Sequence, residues 1–143
     1  MRAALRGPRG AVNPLSVLVI LAIAVAIYCV AIFSGAYLDN IDVTDAVVSA
    51  YNQTGQVPDE QIINVLRDKL KRIGTHREPN EDGEVVEVMG LGAQDEDVTY
   101  ERNPDNTVTV QVRYVREVRL KPTSRWTKIR FTAKKAGVPA GLK

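Results

Sequence analysis

Residues 14–38 read PLSVLVILAIAVAIYCVAIFSGAYL, twenty-five positions without a charge. As an α-helix this stretch spans about 37 Å at about 1.5 Å per residue, against roughly 30 Å of bilayer hydrocarbon. Such a helix crosses with some tilt. It also satisfies its backbone amides internally, which a lipid interior demands. The stretch therefore reads as a transmembrane helix from Pro14 to Leu38, and it divides the chain. Residues 1–13 become a basic leader and residues 39–133 a folded domain. Residues 134–143, with two Gly, one Pro and three Lys, become a flexible basic tail.

The flanks give the helix a direction. Arg2, Arg6 and Arg9 precede it, whereas Asp39, Asp42 and Asp45 follow and no basic residue appears before Arg67. The positive-inside bias predicts a cytoplasmic N-terminus and a domain outside, with Tyr37 at the outer headgroup level. A cleavable signal peptide is the competing reading, because Ser34, Gly35 and Ala36 resemble a cleavage site. The apolar run, however, exceeds the ~7 to 15 residues of an ordinary signal core. Cys29, the single cysteine, excludes an intrachain disulfide. It follows Ala26, Ile27 and Tyr28 and reads as an inert thiol within the span. Ala24, Ala31 and Gly35 share a helix face, and Ala31 with Gly35 has the spacing that lets helices approach closely. They are the candidate face for self-association, beside the plainer reading of an alanine-rich, lipid-facing helix.

Beyond the helix the composition is that of one ordinary domain. Three of the nineteen basic residues lie in the leader, so the remainder carries sixteen against seventeen acids. That near balance gives no electrostatic footing for a nucleic-acid partner. Asp42 or Thr44 can cap a short helix to about Gln53, with Val43, Val47, Ala50 and Tyr51 on its apolar side. Pro58 opens a second helix with Asp59 and Glu60 in its first turn. Ile62, Leu66 and Ile73, with the neighbouring Ile63 and Leu70, give the helical period, and Gly74 follows as a stop. From Glu84 the period becomes two: Val86 and Val88 begin one strand, and Val98 and Tyr100 another. A turn at Asn103 to Asn106 then enters a third strand, in which Val108, Val110, Val112, Tyr114, Val118 and Leu120 face one way. Arg116 interrupts that face and predicts a bend or a sheet edge. A fourth strand spans Arg125 to Ala133. The fold class is α+β: an N-terminal transmembrane helix, two helices, then an antiparallel meander of three or four strands.

Charge is unevenly distributed along this domain. Glu78 to Asp105 holds ten acids and one base, whereas Arg113 to Lys143 holds ten bases and one acid, Glu117. If these segments form neighbouring strands, opposite charges face each other, at about 0.2 to 1 kcal/mol per pair. The functional alternative is a basic surface of Arg113, Arg116, Arg119, Lys121, Arg125, Lys128 and Arg130 that meets lipid headgroups or a partner. The Asp95 to Asp97 loop is its acidic counterpart.

The inventory for catalysis is thin. His76, the only histidine, reads as a solvated loop residue, so a triad or a histidine-rich metal site lacks members. Gly90 and Gly92 alone do not make a phosphate loop. Glu78, Asn80, Asp82 and Gly83 match the start of a calcium loop, but Met89 stands where a bidentate Glu is required. Asp82-Gly83 reads instead as a tight turn. No catalytic, cofactor-binding or metal-binding residues are assigned, and no cofactor or enzymatic activity is expected.

The layout of a basic leader, an apolar helix continuing outward and an antiparallel sheet resembles the type IV pilin and pseudopilin plan. It is similar also to a poorly characterised family of small bacterial single-pass membrane proteins. That likeness rests on Pro58 to Gly74 and on Val108 to Leu120, including the Tyr114-Val115-Arg116-Glu117-Val118 run. It implies a bacterial inner-membrane location and a non-enzymatic envelope protein that contacts protein partners as an accessory or scaffold in assembly or secretion. The alternative it implies is a minor pilin-like subunit, processed after Gly10 and joining a filament. Processing there puts Leu15 at the fifth position, where major pilins carry a glutamate, so the resemblance is to minor subunits.

Overall fold

The computed structural model describes residues 13–140. Residues 1–12 of the basic leader, Gly10 among them, and the last three residues of the tail lie outside the described residues. The chain forms two compact units, one ending at Ala31 and the other running from Ile32.

One helix, α1 (Pro14–Asn52), supplies the described part of the first unit and opens the second. The Asn13 side chain caps it by accepting the Leu15 N–H at 3.0 Å. In the first unit its large apolar side chains, from Leu15 to Val30, are exposed. This helix is long and apolar enough to cross a membrane. The sequence suggested a separate helix starting near Asp42 or Thr44, but α1 runs through without a break. No glycine or proline separates Leu38 from Thr44, and the Thr44 hydroxyl donates back to the Asn40 carbonyl at 2.7 Å instead of capping a new helix.

In the second unit α1 turns one stripe inward: Ala36, Val43, Ala46, Val47, Ala50 and Tyr51 are buried at helical spacing. Helix α2 (Asp59–Leu70) adds Ile62, Leu66 and Leu70, and Pro58 stands at its N-cap as the sequence indicates. Each such side chain contributes about 1.5 to 3 kcal/mol when taken from water. Helix α2 stops at Leu70, so Gly74 is not its immediate stop. Gly74 has a different role, at φ +66°: a Cβ there would come within 2.9 Å of the Asp39 carboxylate. Backbone and space both require glycine.

Five strands follow in two antiparallel sheets. Strands β1 (Thr75–Pro79) and β2 (Val85–Met89) form a hairpin. Its turn is the one foreseen at Asp82-Gly83: the Asn80 side chain accepts the N–H groups of Asp82 and Glu84, and Gly83 has φ +81°. Strand β1 was unforeseen because Thr-His-Arg-Glu-Pro shows no apolar alternation. A short 3-10 turn, Asp95–Asp97, leads to β3 (Val98–Arg102), β4 (Val108–Leu120) and β5 (Arg125–Gly137), a meander in that order.

The inward face of β4 is as its alternation indicates, with Val108, Val110 and Val112 fully buried and Tyr114 nearly so. Phe131 pairs with Tyr114 across the sheet, its ring stacked at 5.4 Å and meeting Tyr37 of α1 edge-on at 5.6 Å. Arg116 marks no bend. It sits on the central strand, its guanidinium in a largely buried ion pair with Asp39 of α1. An edge does begin nearby, because β3 reaches only Val112 in register and β4 from Arg113 onward pairs with β5 alone. Residues 134–137, assigned to the flexible tail, instead extend β5 opposite Val108 to Gln111, and Pro139 is buried. Gly137 permits this: its Cβ position lies 2.9 Å from the Tyr51 hydroxyl.

Candidate functional site

The short reach of β3 leaves an open cleft of about 920 Å³ between the β4–β5 ribbon, the β1–β2 hairpin and the segment from Leu91 to Asp97. Its floor is the outer face of the ribbon, where strand alternation puts Arg113, Val115 and Glu117 beside Lys128, Arg130 and Thr132. Trp126, the only tryptophan, is 45% exposed at the far end of this floor. The Arg77 guanidinium of β1 lies 4.1 Å from the Trp126 ring centre and 3.4 Å from the Glu117 carboxylate. Glu117 also holds Lys128 at 3.4 Å. Thus the one acid of the basic segment neutralises two cations and ties the hairpin to the sheet.

Arg113 and Arg130 make no ion pair among the described residues; with its amide oxygen turned toward the guanidinium, Gln111 accepts from Arg113. The other wall of the cleft carries Glu87, Glu96 and Asp97. Glu87 accepts from Thr75, and Asp97 accepts the Gln94 N–H at 3.0 Å in a capping box. Glu87 and Asp97 are thus engaged in local structure.

The basic surface expected from the sequence is therefore split. Arg113, Lys128 and Arg130 lie together in the cleft. Arg119 and Arg125 lie near the ribbon tip, where the Arg119 guanidinium donates to Ser124 at 3.0 Å; Lys121 is in the tip itself. Arg116 is withdrawn into the core contact with Asp39 and donates to Thr75 at 3.4 Å. Trp126 and Arg77 were missed. A tryptophan at an outward position of an alternating strand was the available signal, whereas nothing in the sequence brings Arg77 to it. Ala24, Ala31 and Gly35 are all exposed on α1, and a Cβ on Gly35 would meet nothing within 4 Å.

The ion pairs at Glu117, with Arg77 and Lys128, are not contacts between the acidic and the basic segment. Among the described residues three ion pairs tie helices to other elements: Asp39 with Arg116, Asp59 with Arg102 at 3.4 Å, and Arg67 with Asp95 at 3.0 Å. His76 is not a solvated loop residue. It lies in β1 with its Nδ1 2.9 Å from the Gly90 carbonyl, its ring packed on Gly92, where a Cβ would come within 2.6 Å.

Two tyrosines are tuned by the core. The Tyr114 hydroxyl donates to Asn40 at 3.2 Å, and its pKa is pushed up to about 12, mainly by burial and then by the charge of Asp39. Tyr100 is likewise raised, by burial and by its 2.8 Å hydrogen bond to Asp59. Both are neutral structural donors at ordinary pH. Among the described residues no cluster of His, Cys, Asp or Glu is placed to hold a metal ion. The cleft offers cations, an aromatic face and apolar side chains, which suits binding an anionic or amphipathic surface. Compared with known proteins, the chain matches no family model, no curated protein and no solved structure.

Proposed function

We propose that this chain is a single-pass protein of the bacterial inner membrane whose domain lies outside the cytoplasm and contacts a protein partner, without enzymatic activity. The supporting observation is the first half of α1. Eleven large apolar side chains from Leu15 to Val30 are exposed among the described residues. At about 1.5 to 3 kcal/mol each, keeping them in water costs on the order of 20 kcal/mol, which lipid removes. The charge difference between Arg2, Arg6 and Arg9 and the acids after Leu38 supports the outward direction. The cleft beside Trp126 is the contact surface this reading favours.

The test uses Cys29→Ser as background, with a cysteine introduced at the hairpin turn by Glu81→Cys. The protein should float with lipid in a density gradient, and a membrane-impermeant maleimide should label the turn in intact spheroplasts. A protein that sediments free of lipid removes the anchor. Labelling that appears only after lysis reverses the direction.

A second reading, a minor pilin-like subunit processed after Gly10, is favoured by the unbroken helix whose first half is apolar all round and whose second half packs beneath an antiparallel sheet. The intact mass of protein recovered from membranes separates the two. A mass beginning at Ala11 supports the subunit, and one beginning at Met1 supports the static anchor.

A further inference from the structure

We infer that the occupant of the basic cleft is a second copy of this chain, which docks its β1–β2 hairpin against the outer face of β4–β5. The inference rests on reading that face as a protein-contact surface, and it is independent of the membrane anchor.

The hairpin has the properties of an uncovered half-interface. All five residues of β2 are exposed, including four apolar ones, with Val85 at 54% and Met89 at 70%. Strand β2 pairs with β1 alone, so its outer edge presents free backbone donors and acceptors. Natural edge strands usually carry a lysine, a proline or a bulge against unwanted pairing. Val-Val-Glu-Val-Met carries none of these. Of the charged groups around it, Glu81, Asp82, Glu84 and Glu87 are acidic and exposed, while Arg77, opposite Glu87 in register, is held against Glu117 and Trp126.

The outer face of β4–β5 carries the complementary features within the same chain. Strand β4 has an open edge from Arg113, where β3 has ended. Val115 and Trp126 expose apolar surface at 43% and 45%. Arg130 stands opposite Val115 in the register and Arg113 two residues before it on the same face of β4, and neither makes an ion pair among the described residues. An acidic, apolar edge and a basic, apolar edge therefore occur together on one domain. Within the chain the hairpin gives Arg77 to the cationic floor, through Glu117 and Trp126, and Glu87 to the cleft wall, and leaves the outer edge of β2 unpaired among the described residues. Because hairpin and cleft adjoin, two copies can exchange hairpins reciprocally, and a closed two-fold pair satisfies both surfaces at once.

The test uses the full chain in detergent, with mass by light scattering and Trp126 emission as readouts. The wild-type chain should be dimeric at low salt, dissociate as salt rises, and shift its emission to shorter wavelength on association. Variant Arg113→Glu/Arg130→Glu puts acid against acid, and variant Asp82→Lys/Glu84→Lys puts base against base. Each alone should associate at least roughly tenfold more weakly, and a mixture of the two should recover the dimer, since both of its contacts are complementary. Recovery in the mixture also shows that both variants are folded. If either fails to fold, the neutral pair Arg113→Gln/Arg130→Gln replaces it, with loss of the emission shift as the expected result.

A monomeric wild-type chain overturns the inference. So does a dimer unaffected by either variant, which would place the contact on the Ala24, Ala31 and Gly35 face. If the chain is monomeric but another envelope protein binds it and releases on Arg113→Glu/Arg130→Glu, the occupant is wrong and the contact-surface reading stands.

Discussion

Between Leu15 and Val30 α1 exposes large apolar side chains on every side, whereas between Val43 and Tyr51 it hides one stripe and shows Asp45 and its neighbours outward. The two halves share a backbone and differ in what must cover them. A protein core covers one face of a helix, so the second half can be polar on the other; a bilayer covers all faces, so the first half cannot. The difference teaches that a change in which faces of a helix are buried need not coincide with a break in secondary structure. Here it is recorded in the side chains while the hydrogen-bond ladder continues.

The sharpest way to break that comparison is to place the same charge in each half. Val43→Asp, at a fully buried position, should cost more than about 4 kcal/mol and leave the domain unfolded by near-ultraviolet circular dichroism. Ile23→Asp should leave the domain spectrum unchanged while reducing the lipid-bound fraction. A domain indifferent to Val43→Asp would mean that the inner half is no core element.

The next effect concerns the contact that replaces apolar packing at the outer end of the inner stripe. Asp39→Ala leaves Arg116 charged, unpaired and only 14% exposed, and should lower stability by about 3 kcal/mol in urea unfolding. The double change Asp39→Leu/Arg116→Met should recover most of that loss. Gly74→Ala, at φ +66° and against the same carboxylate, should cost a further but smaller amount, about 1 to 2 kcal/mol.

The Tyr114 hydroxyl gives a pH signature. Its folded pKa of about 12 lies above the ordinary value of 10.0, so the folded state holds the proton that the unfolded state releases. This contribution is complete below pH 10, falls as pH rises from there, and is gone above about pH 12. Tyr114→Phe should flatten that alkaline decline. The smallest expected effect is Trp126→Ala, where loss of the Arg77 contact should cost only about 0.5 to 1 kcal/mol because the ring is half exposed.

The elements with strong periodicity were legible in the sequence: the apolar helix, the Ile62, Leu66 and Leu70 stripe, and the Val108 to Tyr114 alternation each stand where the pattern puts them. What escaped depended on partners distant in the chain. Arg116 looked like an interruption because its partner, Asp39, is on another element. The continuity of α1 through Asp39 was hidden because three acids after a greasy stretch resemble a boundary. The end of β5 was hidden because Lys134 and Lys135 look like a tail, although Lys134 stands on the outer face of the ribbon and Lys135, opposite Val110, lies 5.8 Å from the Tyr51 ring. For the cleft, Arg113, Lys128 and Arg130 could be read as a basic cluster. The cleft itself follows from β3 being shorter than β4, and strand length is set by pairing that no local pattern records.

The stripe of α1 that includes Val43 and Ala50 meets strands made near the end of the chain, with Phe131 and Ala133 among its partners. During synthesis at about 5 to 20 residues per second, those side chains wait on the order of ten seconds for their cover. Throughout that interval the half-made chain presents an uncovered apolar ridge on the same helix as the exposed stretch from Leu15 to Val30.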